Sequence, residues 1–141
     1  MSDHQLCRLS GSDGELELAG PPAALRALGQ RLRQFGATPR TARPLEVAIS
    51  GGSVVQEVTG GPLLVGLRDA TTLHVSGGHE YLDILWDALD GVAHLAETAD
   101  DRGVNRHQHI EHFPGDEHRS PDSIPLVIVA DWPQEPIPVP R

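Results

Sequence analysis

The chain has 141 residues, 38% of them hydrophobic, enough for one ordinary domain with a single buried core. No apolar run approaches the roughly 20 residues of a membrane span, and the opening residues have neither the basic nor the apolar part of a secretory signal. A formal charge of −9, with 11 arginines and no lysine, argues against nonspecific nucleic-acid binding, which needs cations to displace condensed counterions. Cys7 has no partner for an internal disulfide, so the cytoplasm is the expected compartment.

Taken in order, residues 5–10 and 15–19 alternate apolar and polar around Ser-Gly-Ser-Asp-Gly, a hairpin signal. Gly20-Pro21-Pro22 ends the second strand and opens a helix, since proline is tolerated in a first turn. Leu25, Leu28, Leu32 and Phe35 form its apolar stripe, and Gly36 is placed to cap it. Residues 37–44 read as a connector. Strands follow at 45–49 and 54–58, then at 63–67 and 71–76, the last pair joined through Arg68-Asp69-Ala70. After Gly77-Gly78 comes the longest helix, about His79 to Thr98. Its apolar side runs Leu82, Leu85, Trp86, Leu89, Val92, Ala93 and Ala96. Gly91 inside it suggests a close packing contact. Residues 100–103 turn the chain into the stretch 107–118. Ile124 to Asp131 is then a buried, β-branched strand. Residues 132–141 have a proline density that suits an extended tail, and Trp132 is either core edge or contact anchor.

Two pieces share one pattern. Leu16-Glu17-Leu18-Ala19-Gly20 followed by Leu25, Leu28 and Leu32 matches Leu73-His74-Val75-Ser76-Gly77 followed by Leu82, Leu85 and Leu89, at a constant offset of 57. The order is therefore hairpin–helix, hairpin, hairpin–helix, hairpin. This predicts an α+β domain over residues 1–131, a two-layer sandwich with both helices on one face of an antiparallel sheet. The other face is left for a partner or ligand.

The stretch 107–118 holds four of the eight histidines. On a strand, His107, His109 and Glu111 share one face, with Phe113 next along it. With His118 beyond the Pro-Gly turn, they are the candidate ligands for Zn²⁺ or Fe²⁺. Against this, alternate strand residues stand roughly 6.5–7 Å apart, which is wide for one small ion. A polar recognition strand is the competing reading. Charge is also segregated: five arginines and no acid lie between residues 18 and 45, and seven acids and no base between 79 and 101. Either the two helices attract one another or the acidic one faces a basic partner. The common nucleotide-binding and hydrolase motifs are absent. Ser76-Gly77-Gly78 resembles an anion nest, but its counterpart carries two prolines, so a structural joint is the better reading.

The joint 73–77, the helix start 82–86, the segment 107–116 and the run 121–128 together resemble small actinobacterial proteins classed as immunity proteins of polymorphic toxin systems, the thirty-second family of that series. The resemblance covers about residues 60–131. It implies a toxin-neutralising partner protein without catalysis or cofactor of its own, acting by occlusion of a basic toxin domain. The residues it nominates for contact are His109, Glu111, Phe113, Asp116 and Glu117, with Asp83, Asp87 and Asp90 on the acidic helix. A small metal protein using His107, His109 and Glu111 is the alternative.

Overall fold

A computed structural model describes residues 3–12, 14–36, 44–98 and 106–131. The 37–43 connector, the 100–103 turn, Trp132 and the proline tail fall outside the described residues, as does the side chain of Phe35. A 3₁₀ turn, Asp3–Leu6, leads into β1 (Arg8–Ser12), β2 (Glu15–Gly20) and α1 (Pro22–Gly36). β3 (Leu45–Ile49), β4 (Gly52–Val58), β5 (Leu64–Asp69), β6 (Thr72–Gly77) and α2 (His79–Thr98) follow. β7 (Arg106–Ile110) and β8 (Leu126–Ala130) complete the α+β fold. Among the described residues no helix is long and apolar enough to cross a membrane.

The strands do not make one sheet. They divide into two of four strands, ordered β1-β2-β8-β7 and β3-β4-β6-β5. Outer pairs are antiparallel, while the central pairs, β2 with β8 and β4 with β6, are parallel. Each half of the chain runs strand, strand, helix, strand, strand, and each sheet takes two strands from each half. Substituting β5, β6, β3 and β4 for β1, β2, β7 and β8 turns one strand order into the other.

The joints follow the same equivalence. Pro21 precedes α1 and its carbonyl accepts N–H bonds from Ala24 and Leu25. Gly78, 57 residues on, accepts from Tyr81 and Leu82 in the same way. The glycine ending each preceding strand is needed for close approach. A Cβ on Gly20 would sit 3.3 Å from the Cα of Cys7, and one on Gly77 (φ +151°) would sit 3.1 Å from the Pro62 carbonyl oxygen. Both glycines thus let a neighbouring segment cross tight against the strand-to-helix turn. Gly91 meets nothing within 4 Å of a built Cβ, so the close contact expected there is not found.

Both helices and the inward residues of both sheets share one core. Leu25, Leu28 and Leu32 of α1 and Leu82, Leu85, Leu89 and Val92 of α2 are buried with Leu18, Val47, Val54, Leu73, Val75, Ile110 and Ile128. Among the described residues the polar side chains of Gln56, Thr72 and Ser76 are buried, Gln56 the most deeply. Gln56, fully buried on β4, accepts from the Trp86 indole N–H at 2.8 Å and donates to the Leu32 carbonyl at 3.0 Å. Trp86 is core, as its place on the stripe implies.

Candidate functional site

β7 is an edge strand, and its register with β8 decides which side chains face out. Gln108 and Ile110 oppose the inward residues Ile128 and Leu126, whereas His107 and His109 oppose Val129 and Val127. Those valines form a small separate cluster with Ala19 on the outer face of the sheet. His107 and His109 stand exposed beside it, their rings edge to face with centroids 5.3 Å apart. The strand stops at Ile110, sooner than the alternation of 107–113 suggests. From Glu111 the chain leaves β8 and later runs along β5 before returning at Leu126.

That loop is held by specific bonds. The Leu63 N–H donates to the His118 carbonyl, Ser120 N–H to Leu63, and Ile124 N–H to Val65. At its tip, Gly115 (φ +85°) allows a tight turn in which Asp116 N–H reaches the Phe113 carbonyl at 2.9 Å. The Asp116 carboxylate accepts the N–H of His118 at 2.8 Å and the guanidinium of Arg119 at 3.0 Å. The backbone N–H of His118 is the largest cause of a carboxyl pKa held down at about 2. His112 Nδ1 donates to the Arg119 carbonyl at 2.8 Å. These contacts fix the backbone around Phe113, whose ring is 54% exposed, and around the exposed Glu117.

The nominated residues divide into those the structure gathers and those it uses elsewhere. The His118 ring lies 6.0 Å from that of Tyr81, so the loop meets the first turns of α2 and its exposed Glu80 and Asp83. Through His118 the loop therefore adjoins the start of the acidic helix. Asp87 and Asp90 are engaged by Arg33 of α1 at 3.3 and 3.0 Å, and Arg26 pairs with Glu97. The oppositely charged helices attract one another, which accounts for much of the charge segregation. Asp116 serves the loop's own backbone, and Glu111 is partly buried.

Among the described residues no three of His, Cys, Asp or Glu converge as a metal site, and His107, His109, Glu111 and His118 form no shell. His107 and His109 project from alternate strand positions, whereas His118 lies against Tyr81. At the start of α2 the Gly78 N–H donates to the Gly61 carbonyl at 2.9 Å, and a Cβ on Gly78 would lie 3.0 Å from the Glu80 carboxylate. A cleft not foreseen from the sequence, open and about 510 Å³, lies over Gly66 between Leu64, His74, Asp122 and Ile124. Only its missing side chain at Gly66 marks it in the sequence.

A family model described as Immunity protein 32 matches residues 15–42 and 72–131, well over half of the chain. The chain belongs to the Immunity protein 32 family. The matched segments contain β2 and α1, then β6, α2, β7, the 111–125 loop and β8. Both strand-to-helix joints and the Phe113 loop thus lie in the part that is characteristic of Immunity protein 32, while β3, β4 and β5 lie between the matches. No curated protein and no solved structure matched the chain.

Proposed function

We propose that this member of the Immunity protein 32 family neutralises a toxin by occlusion, docking through the 111–118 loop and the adjoining start of α2. Family membership supports a protein partner. The observation carrying the location is Phe113, a large apolar side chain held out to solvent on a loop whose backbone is tied by Asp116, His112 and the edge of β5. An aromatic anchor presented without loop ordering is what a tight interface uses at its centre. Exposed Glu117 on the loop, with Glu80 and Asp83 on the helix that His118 adjoins, favours a basic toxin surface and speeds encounter with it. In this reading the protein acts in the cytoplasm, where a lone cysteine stays reduced. The two halves are read as an internal duplication of one strand–strand–helix–strand–strand unit, which the offset of 57 and the matching joints support.

The test is binding to, and protection from, the toxin domain with which the protein is paired. Phe113→Ala is expected to weaken binding by at least tenfold, since anchors of this type contribute about 2 kcal/mol or more. Glu117→Arg should slow association, most at low salt. Both positions are exposed, so thermal stability should be unchanged. If both variants bind and protect like the parent, this loop is not the docking site.

A further inference from the structure

Of the four sheet edges, one is bordered by another segment of the chain and two touch each other at one end only. β1 and β3 meet where Ser50 N–H donates to the Cys7 carbonyl at 2.8 Å, with Ser50 also bridging Arg8. β5 is bordered by residues 118–124 through the main chain of Leu63 and Val65. β7 is the fourth. Among the described residues no main-chain hydrogen bond reaches its outward edge. It has no proline and no bulge, Arg106 is its one fixed charge, and His107, Gln108 and His109 are exposed.

The sequence of β7 is nearly symmetric about Gln108. Antiparallel pairing with the β7 of a second copy, centred there, sets His107 opposite His109 of the partner subunit, and does so twice. Directly opposed strand residues have Cβ atoms about 5 Å apart, closer than the roughly 7 Å between alternate residues of one strand. Within one chain the two imidazoles already stand edge to face on the outer surface, with no third ligand beside them among the described residues. Across the dyad there are four. Four neutral imidazoles suit tetrahedral Zn²⁺, whereas Ca²⁺ and Mg²⁺ need oxygen ligands. A five-residue strand pair buries far less than the roughly 1,000 Å² of a stable interface, and each copy carries a charge of −9. Strand pairing alone therefore does not hold two copies together; the ion is required.

We propose that β7 is a zinc-dependent self-association edge, with one Zn²⁺ on a twofold axis held by His107 and His109 of two copies. The proposal does not depend on the toxin reading. Light scattering of the full chain is expected to show a monomer in chelator and a doubling of mass with one Zn²⁺ per two chains. Co²⁺ at the same ratio should give the intense visible absorption of a tetrahedral site. His107→Gln and His109→Gln, on the exposed face of the strand, should each abolish the mass change and the cobalt spectrum. His94→Gln, exposed on α2, should leave both intact. A chain that stays monomeric with Zn²⁺, a dimer that persists in both strand variants, or one tightly held Zn²⁺ per monomer would each overturn it.

Discussion

The buried amide of Gln56 can be removed with little change of shape by Gln56→Leu. The variant strands two groups at once: the Trp86 N–H loses its 2.8 Å acceptor and the Leu32 carbonyl its 3.0 Å donor, with no water able to reach a residue that is 0% exposed. Each stranded buried group costs about 1–3 kcal/mol, while the added apolar burial returns about 1 kcal/mol. The expected net loss is about 3 kcal/mol, or roughly 10 °C in midpoint for a chain of this size. Urea unfolding followed by far-ultraviolet circular dichroism measures it without relying on Trp86 fluorescence. Trp86→Phe should cost about 2 kcal/mol, and the double variant should lose about 2–3 kcal/mol less than the sum, because the indole N–H and the Gln56 Oε1 are both gone and only the Leu32 carbonyl remains stranded. A Gln56→Leu protein within about 0.5 kcal/mol of the parent would refute the view that this amide links β4 to both helices.

Arg33→Ala removes two partly exposed ion pairs and a cation placed 6.0 Å from the Trp86 ring centre. It should cost about 1 kcal/mol at low salt and less in 1 M salt, by thermal melts of both proteins. Asp116 has a native pKa of about 2 against an ordinary 3.8. Its contribution is therefore present in full above pH 4 and lost as pH falls from there through 2, so Asp116→Asn should flatten the stability profile across that window in acid titrations. Burial pushes the Cys7 thiol up to about 12, and a neutral alkylating reagent should leave it unlabelled in the native protein and label it in urea. Gly77→Ala, which forces a Cβ against the Pro62 carbonyl at a positive φ, should cost over 1 kcal/mol by urea titration.

Local patterns in the chain were legible wherever one element's own residues set them. Leu25, Leu28 and Leu32, and their counterparts from Leu82, mark the buried side of each helix by spacing alone, and 126–130 marks a strand enclosed on both faces. The division into two sheets was not legible. It depends on β2 choosing β8, with Leu16 beside Leu126, and no residue near either strand records that choice. Only the repeated joint hints at it, because equivalent halves allow an exchange of hairpins. At the candidate site, Phe-Pro-Gly-Asp signalled the turn that exposes Phe113. The end of β7 at Ile110 followed instead from the loop's attachment to β5, a contact between distant segments. The acidic pattern of α2 points Asp87 and Asp90 at a partner, and opposite charge blocks are the one sequence sign of their engagement by Arg33. Gln56 was missed, although a glutamine at an inward position of 54–58 is the type of exception that marks a satisfied polar link.

The exchange of hairpins between the halves has a consequence for how the protein comes into being. The first hairpin is joined to its sheet by a pairing that spans Leu16 to Leu126, so this sheet cannot close until β8, more than 100 residues later, has been made. Such distant pairings are reached slowly, because the loop-closure cost comes before any contact compensates it. Until then β2 waits with one long side unpaired. A nascent copy can complete this sheet only after β8 has been made, and that delay is built into the connectivity.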